Sequence, residues 1–267
     1  MTANNALPKA ELHVHLEGTI SPELAQKLAK RNNLPLPDGL FNAKGDYNWA
    51  DFTQFLNSYD AASSVIRTKQ DYSDITYEYL ASIAKEGALY AELGIAPDIT
   101  RDIIGLEYDE LLQGLEDGVN RARAEFGIDA RMIATAVRHL GPKKATEMAK
   151  LVAANPHPLV TGFGLAGDER MHSPADFAEA FQIAHKAGLG CTAHAGEFGG
   201  PESVRDTIEA LPVSRIGHGV RAAEDAELLQ DLADRGITLE VCPNSNIALK
   251  VFDSFESHSF PALYEAG

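Results

Sequence analysis

Two histidines one residue apart, His13 and His15, lie in Lys9-Ala-Glu-Leu-His13-Val-His15-Leu-Glu17-Gly18. Side chains of an extended strand alternate with period two, so both imidazoles point to one side. They can then reach one ion at a Zn–N distance of about 2.0–2.1 Å. Such a pair alone is weak; its meaning comes from two further segments, His194-Ala-Gly-Glu197 and Arg215-Ile-Gly-His218-Gly219. His194 offers a third nitrogen ligand, and Glu197 follows it by one short turn. A zinc ion held by neutral nitrogens lowers the pKa of its bound water to about 7, which gives hydroxide at neutral pH. Attack of that hydroxide on an aromatic C–NH2 carbon breaks the ring's aromaticity, and a ring nitrogen must then be protonated. This asks for a carboxylic acid of raised pKa beside the ring, and Glu197 is placed for the task. His218 can orient the water and accept its proton. His157, His172, His185 and His258 carry no such role in this reading, and His139, after Arg138, is supporting or structural. Cys242, in Val-Cys-Pro-Asn-Ser-Asn, reads as a small buried residue rather than a ligand.

Chemistry of this kind needs elements that bring distant residues together. Short apolar runs recur, each ending in a polar or glycine-rich cluster: Glu11–Leu16, Ala88–Pro97, Asp129–Arg138, Leu159–Gly167, Leu189–Glu197, Arg215–Gly219 and Thr238–Asn246. From the second onward their starts are 41, 30, 30, 26 and 23 residues apart. Helical patterns lie between them. Ser173–Ala187 opens on Ser-Pro, a cap with proline at the first helical position, and Ala222–Arg235 stops at Gly236. Strand and helix alternating at this spacing predict crossover units and a parallel sheet. No GxGxxG follows the first strand, and polar residues sit at the C-terminal ends of several strands, where a barrel builds its active site. The expected fold is therefore α/β, a (β/α)8 TIM-type barrel forming one domain over residues 1–267. About 70 residues separate the first two strands, and Pro22–Arg31, Asn48–Arg67 and Gln70–Glu86 read there as an inserted helical segment. Phe52, Phe55, Leu56 and Tyr59 form an i, i+3, i+4, i+7 stripe that is either ordinary core or an aromatic lid over a pocket.

The composition narrows the partners. The chain has 267 residues, 45% hydrophobic and 23% charged, and 39 acidic against 23 basic side chains give a formal charge of −16. Such a surface repels phosphate backbones and anionic lipid, so neither nucleic acid nor a membrane is expected as a partner. No run approaches 18 apolar residues, and Met1–Pro8 lacks a charged segment leading into an apolar one. A soluble cytoplasmic protein is expected. The two cysteines cannot build a disulfide framework.

At these motifs the sequence resembles the adenosine/adenine deaminase family of the amidohydrolase barrels. The resemblance runs through HVHLEG, DFTQFL, AELGIAP, GFGLAGDE, HAGE, RIGHG and VCPNSN, in that order. It implies that His13, His15 and His194 bind Zn2+, that Glu197 protonates purine N1, and that His218 positions the hydroxide. It further implies that Gly167 offers its backbone N–H to the purine and that Phe52, Phe55 and Tyr59 form the lid. Glu17 stands where adenosine deaminases usually carry an Asp that touches ribose and the adenine branch usually carries Glu. RIGHG and AELGIAP lean towards adenosine. Adenosine is thus the first expectation, converted to inosine and ammonia; adenine, converted to hypoxanthine, is the alternative. The family's arginine in the second strand is replaced in Glu92-Leu-Gly94. Its eighth strand, with two adjacent aspartates, would begin where Tyr264-Glu-Ala-Gly267 stands. The chain is therefore expected to lack that strand, and its open sheet edges to bring either instability or homo-oligomerisation. A catalytically incomplete purine-binding protein is the reading from outside the enzymes.

Overall fold

The computed structural model describes residues 7–267; the opening Met1–Ala6, part of the segment read above for a leader, lies outside the described residues. Contacts divide the chain into two compact units, Met1–Met132 and Ile133–Gly267.

In the first unit, β1 (Lys9–His15) pairs in parallel with β2 (Ala88–Ile95), with His15 opposite Gly94. The register shifts between Glu11 and Val14. Such an irregularity re-aims side chains, and it falls on His13. A 3-10 turn, Leu16–Thr19, leads into α1 (Pro22–Arg31), where Ser21 Oγ accepts the Leu24 N–H at 3.1 Å and Pro22 fills the first position. The second inserted helix is shorter than its apolar pattern: α2 spans Phe52–Ser63 because the Asp51 carboxylate accepts the Gln54 N–H at 2.8 Å and starts the helix there. Thr68 and Asp71 form a capping box for α3 (Lys69–Lys85). The buried Asp71 also accepts Asn32 Nδ2 at 2.9 Å and pairs with Arg31, tying α1 to α3. Burial pushes its carboxyl upward, but the hydrogen bonds from the Arg67 backbone, Asn32 and Arg31 outweigh this and hold its pKa below the usual value. After β2, one turn, α4 (Pro97–Ile99), passes into a π-turn before α5 (Tyr108–Phe126). α5 lies hard against α3: a Cβ on Gly118 would come within 2.7 Å of the Ser73 carbonyl oxygen.

β3 (Asp129–Val137) carries the chain into the second unit, whose strands follow the order β3, β4 (Val160–Ala166), β5 (Gly190–Ala195), β6 (Arg215–His218), β7 (Thr238–Glu240). β4 to β7 are parallel, with Leu165 opposite Ala193, His194 opposite Gly217 and Gly217 opposite Glu240. The intervening helices are α6 (Pro142–Ala154), α7 (Ala178–Lys186), α8 (Pro201–Ala210) and α9 (Ala226–Arg235). α7 and α9 are each preceded by a 3-10 turn, Pro174–Phe177 and Val220–Glu224, so each is shorter than the sequence pattern. Phe163 of β4 and Phe181 of α7 are fully buried and meet edge-to-face at 5.2 Å. Burying each such ring stabilises the unit by roughly 1.5–3 kcal/mol. The seventh apolar run is corrected most. Its strand ends at Glu240, and Pro243 opens α10 (Pro243–Ala248), because proline lacks the N–H a strand ladder would use but fits a first helical turn. α11 (Phe260–Glu265) closes the described chain.

Candidate active site

Two groups of side chains stand out, one in each unit. In the first, the His13 and His15 rings are 5.5 Å apart and nearly perpendicular, both half-buried at the end of β1. Burial, and then the neighbouring His13, push the His15 pKa down to about 3. His15 is thereby neutral at neutral pH, the form a metal ligand needs. One turn on, Glu17 is buried at 6% exposure and accepts a hydrogen bond from the Tyr59 hydroxyl at 3.1 Å. Burial raises the Glu17 pKa, while hydrogen bonds, among them those from Tyr59, the Ala96 backbone and Tyr72, pull the other way. Tyr72 itself is 1% exposed, its hydroxyl 2.8 Å from Thr100 Oγ1. Tyr59 belongs to α2, so the inserted helix is anchored to Glu17.

The aromatic stripe is not core. Phe52, Phe55 and Tyr59 stay half-exposed, and only Ala62 of α2 is buried. Phe55 packs edge-on to Trp49 at 5.6 Å and stacks with Phe52 at 6.3 Å.

In the second unit, His194 and His218 end the adjacent strands β5 and β6, are 9% and 4% exposed, and hold their rings 5.0 Å apart. The buried Arg138 donates from Nη2 to the His194 carbonyl at 3.0 Å and so pins the end of β5. Glu197 is 4% exposed, and its Oε2 lies 3.5 Å from His218 Nε2. Burial, followed by the nearby Glu169 charge, raises its pKa to about 8. A carboxyl group that keeps its proton at neutral pH can act as an acid.

Glu169 is one of the residues the sequence reading missed. It lies within GFGLAGDE, but its task depends on contacts 27 to 34 residues away. Its carboxylate accepts the backbone N–H groups of Gly196 at 2.5 Å, Glu197 at 3.0 Å, Phe198 at 2.8 Å and Gly199 at 3.1 Å, and the Ser203 hydroxyl as well. Burial alone would raise its pKa; Ser203 and these N–H groups outweigh that and lower it. An ionised clamp thus fixes the loop that carries Glu197. Gly167 adopts φ 98°, a conformation few other residues tolerate, and a Cβ there would sit 3.3 Å from the Arg138 nitrogen. His258, read as having no role, is 5% exposed and linked through Asn246 to His218. His139 is exposed, and Cys242 is only half-buried, its Sγ 3.3 Å from the Glu240 carbonyl. Among the described residues, no helix is long and apolar enough to cross a membrane.

Residues 8–267 match the family model described as adenosine deaminase. An adenine deaminase of Sinorhizobium medicae is 49% identical over 267 residues, covering 100% of this chain and 81% of the relative. The crystal structure of an adenine deaminase from Arthrobacter aurescens superposes with a TM-score of 0.89 at 33% identity, over 97% of this chain and 79% of that one. An amidohydrolase of Burkholderia ambifaria, crystallised with bound Zn, superposes with a TM-score of 0.87 at 29% identity, over 98% of this chain and 73% of that one. The fold is accordingly the TIM-type (β/α) barrel of the amidohydrolases, as the strand spacing led one to expect. With its motifs in family order and its whole described length matched, the chain belongs to the adenosine deaminase family, hydrolases within the amidohydrolase superfamily.

Proposed function

We propose that this protein deaminates adenine, by hydrolysis, to hypoxanthine and ammonia in the cytoplasm, residues 1–267 acting as one metal-dependent hydrolase domain. The observation that carries the reading is the 49% identity, along the entire chain, to a relative named adenine deaminase. Adenosine, first on sequence motifs alone, gives way to the free base for that reason. Glu17 adds a chemical argument. A buried carboxyl group held by Tyr59 and Tyr72 offers an oxygen acceptor suited to a ring N–H, which adenine carries and which the sugar replaces in adenosine.

His13, His15 and His194 would hold the metal. The donor set fits: three imidazoles, of which His15 is neutral at neutral pH and His194 is buried at a strand end. When bound, such an ion lowers the pKa of a coordinated water and so supplies the nucleophile. The protein's own groups do the rest. Glu197, in its acid form, donates a proton to purine N1. His218, beside it, orients the attacking water through its ring N–H. The Gly167 N–H binds the purine edge, Glu169 keeps the Glu197 loop in place, and Phe52, Phe55 and Tyr59 cover the ring and exclude water.

The experiment is to follow ultraviolet absorbance of adenine and of adenosine separately, with the purified chain and Zn2+. The expected result is kcat/KM for adenine at least about 100-fold above that for adenosine, the scale on which a fitted polar pocket discriminates. Faster turnover of adenosine would overturn the reading, and purine binding without turnover would replace it with a binding function.

A further inference from the structure

We propose that His258 and Asn246 form a positioning relay that keeps His218 in the tautomer with its proton on Nε2, the ring nitrogen facing Glu197. The inference rests on the roles proposed above for His218 and Glu197. Its direction is set by one proton that cannot move. The Phe260 backbone N–H donates to His258 Nδ1 at 3.0 Å, so that nitrogen is an acceptor. A neutral imidazole with an accepting Nδ1 carries its proton on Nε2. His258 Nε2 lies 3.1 Å from Asn246 Oδ1 and donates to it. The amide is thereby oriented, and its Nδ2, which can only donate, points at His218 Nδ1 at 3.1 Å. His218 Nδ1 must accept, which leaves the ring proton on Nε2, 3.5 Å from Glu197 Oε2.

The relay is shielded from water, which could otherwise stand in for any member: Asn246 is 0%, His218 4% and His258 5% exposed. Its parts are also held by backbone. Pro243 sets the start of α10 and hence the face on which Asn246 stands. The Asn246 carbonyl accepts the Val251 N–H at 2.8 Å. His218 itself has φ 64°, so its backbone is fixed in a conformation that a β-branched residue would resist. A triad needed only for packing would have no reason to be directional; this one runs from a backbone donor to the face of the proposed acid.

The test uses the whole chain labelled with [15N]histidine, metal-free and Zn2+-loaded, with ring nitrogens resolved by long-range proton–nitrogen correlation. The expected spectrum shows His218 protonated at Nε2 and unprotonated at Nδ1. In the near-isosteric Asn246→Asp variant the carboxylate can only accept, so the His218 proton should move to Nδ1. Adenine turnover should then lose about 10–100-fold in kcat with KM nearly unchanged, as for other partners that orient an active-site histidine. His258→Gln, which retains a donor, should preserve more of kcat than His258→Leu. A His218 proton on Nδ1 in the unaltered chain, or the same tautomer in Asn246→Asp, overturns the relay. So does a shifted tautomer with undiminished kcat. If the unaltered chain does not turn over adenine, the functional reading fails, while the nitrogen spectra still decide the relay.

Discussion

At the scale of single residues, Glu197 ties structure to chemistry most directly, because the burial that suits it for acid catalysis also makes it a liability for folding. Its pKa is about 8 in the folded chain against an ordinary 4.5. Below the ordinary value both states hold the proton and nothing is lost. As pH rises towards 8 the unfolded chain releases the proton but the folded chain does not, and stability falls. A tenfold change in proton affinity corresponds to about 1.4 kcal/mol, so a loss of about 2–4 kcal/mol is expected between pH 4.5 and pH 8 in chelator-treated protein. Glu197→Gln keeps the neutral form at every pH. Denaturant unfolding of the two chelated proteins should show the variant more stable by about that amount at pH 8 and nearly equal at pH 4.5. An equal difference at both values would mean that the carboxyl group is not held protonated. With Zn2+ present, the same variant should retain its metal and lose at least about 100-fold in kcat, the usual worth of a placed acid.

At the scale of elements, the fit between α3 and α5 is set by absence of side chain. Gly118 faces the Ser73 carbonyl and Thr76 Cβ, at 2.7 and 2.6 Å from where its own Cβ would stand. Gly118→Ala raises intrinsic helix propensity by about 1 kcal/mol, yet backbone cannot retreat as a flexible side chain can. The expected net effect is destabilisation by about 1–3 kcal/mol, read from the urea midpoint; a stabilised variant would show that the two helices move apart freely. Elements are also where the sequence was most readable. α1 keeps the bounds Pro22–Arg31 read from its sequence, and all seven apolar runs begin as strands within two residues of their expected starts. What failed was local chemistry competing with periodicity: Asp51 starting α2 late, and Pro243 turning an apolar run into α10. His13, His15, His194, Glu197 and His218 were prominent in the sequence because each sits in a short motif. Glu169, Asn246 and His258 were not, since each acts through partners far along the chain that periodicity does not report.

At the scale of the whole molecule, the formal charge of −16 acts on every ligand before any pocket does. Adenine is neutral at pH 7, whereas an adenine nucleotide carries a phosphate with nearly two negative charges. A net field of this sign lowers the local concentration of anions and their rate of encounter, by roughly 10- to 1,000-fold for strongly focused fields. It leaves a neutral base untouched. Salt separates this long-range effect from fit within the pocket, because the screening length falls from about 30 Å at 0.01 M to about 3 Å at 1 M. Raising the salt concentration should therefore leave kcat/KM for adenine nearly constant. Any residual turnover of adenosine 5′-monophosphate should start at least about 10-fold below that of adenine and rise with salt. Initial rates on the two substrates across a salt series measure both slopes. A nucleotide rate that falls with salt would reveal a positively charged phosphate site strong enough to override the whole surface. The reading of a free base as substrate would then have to yield to a nucleotide.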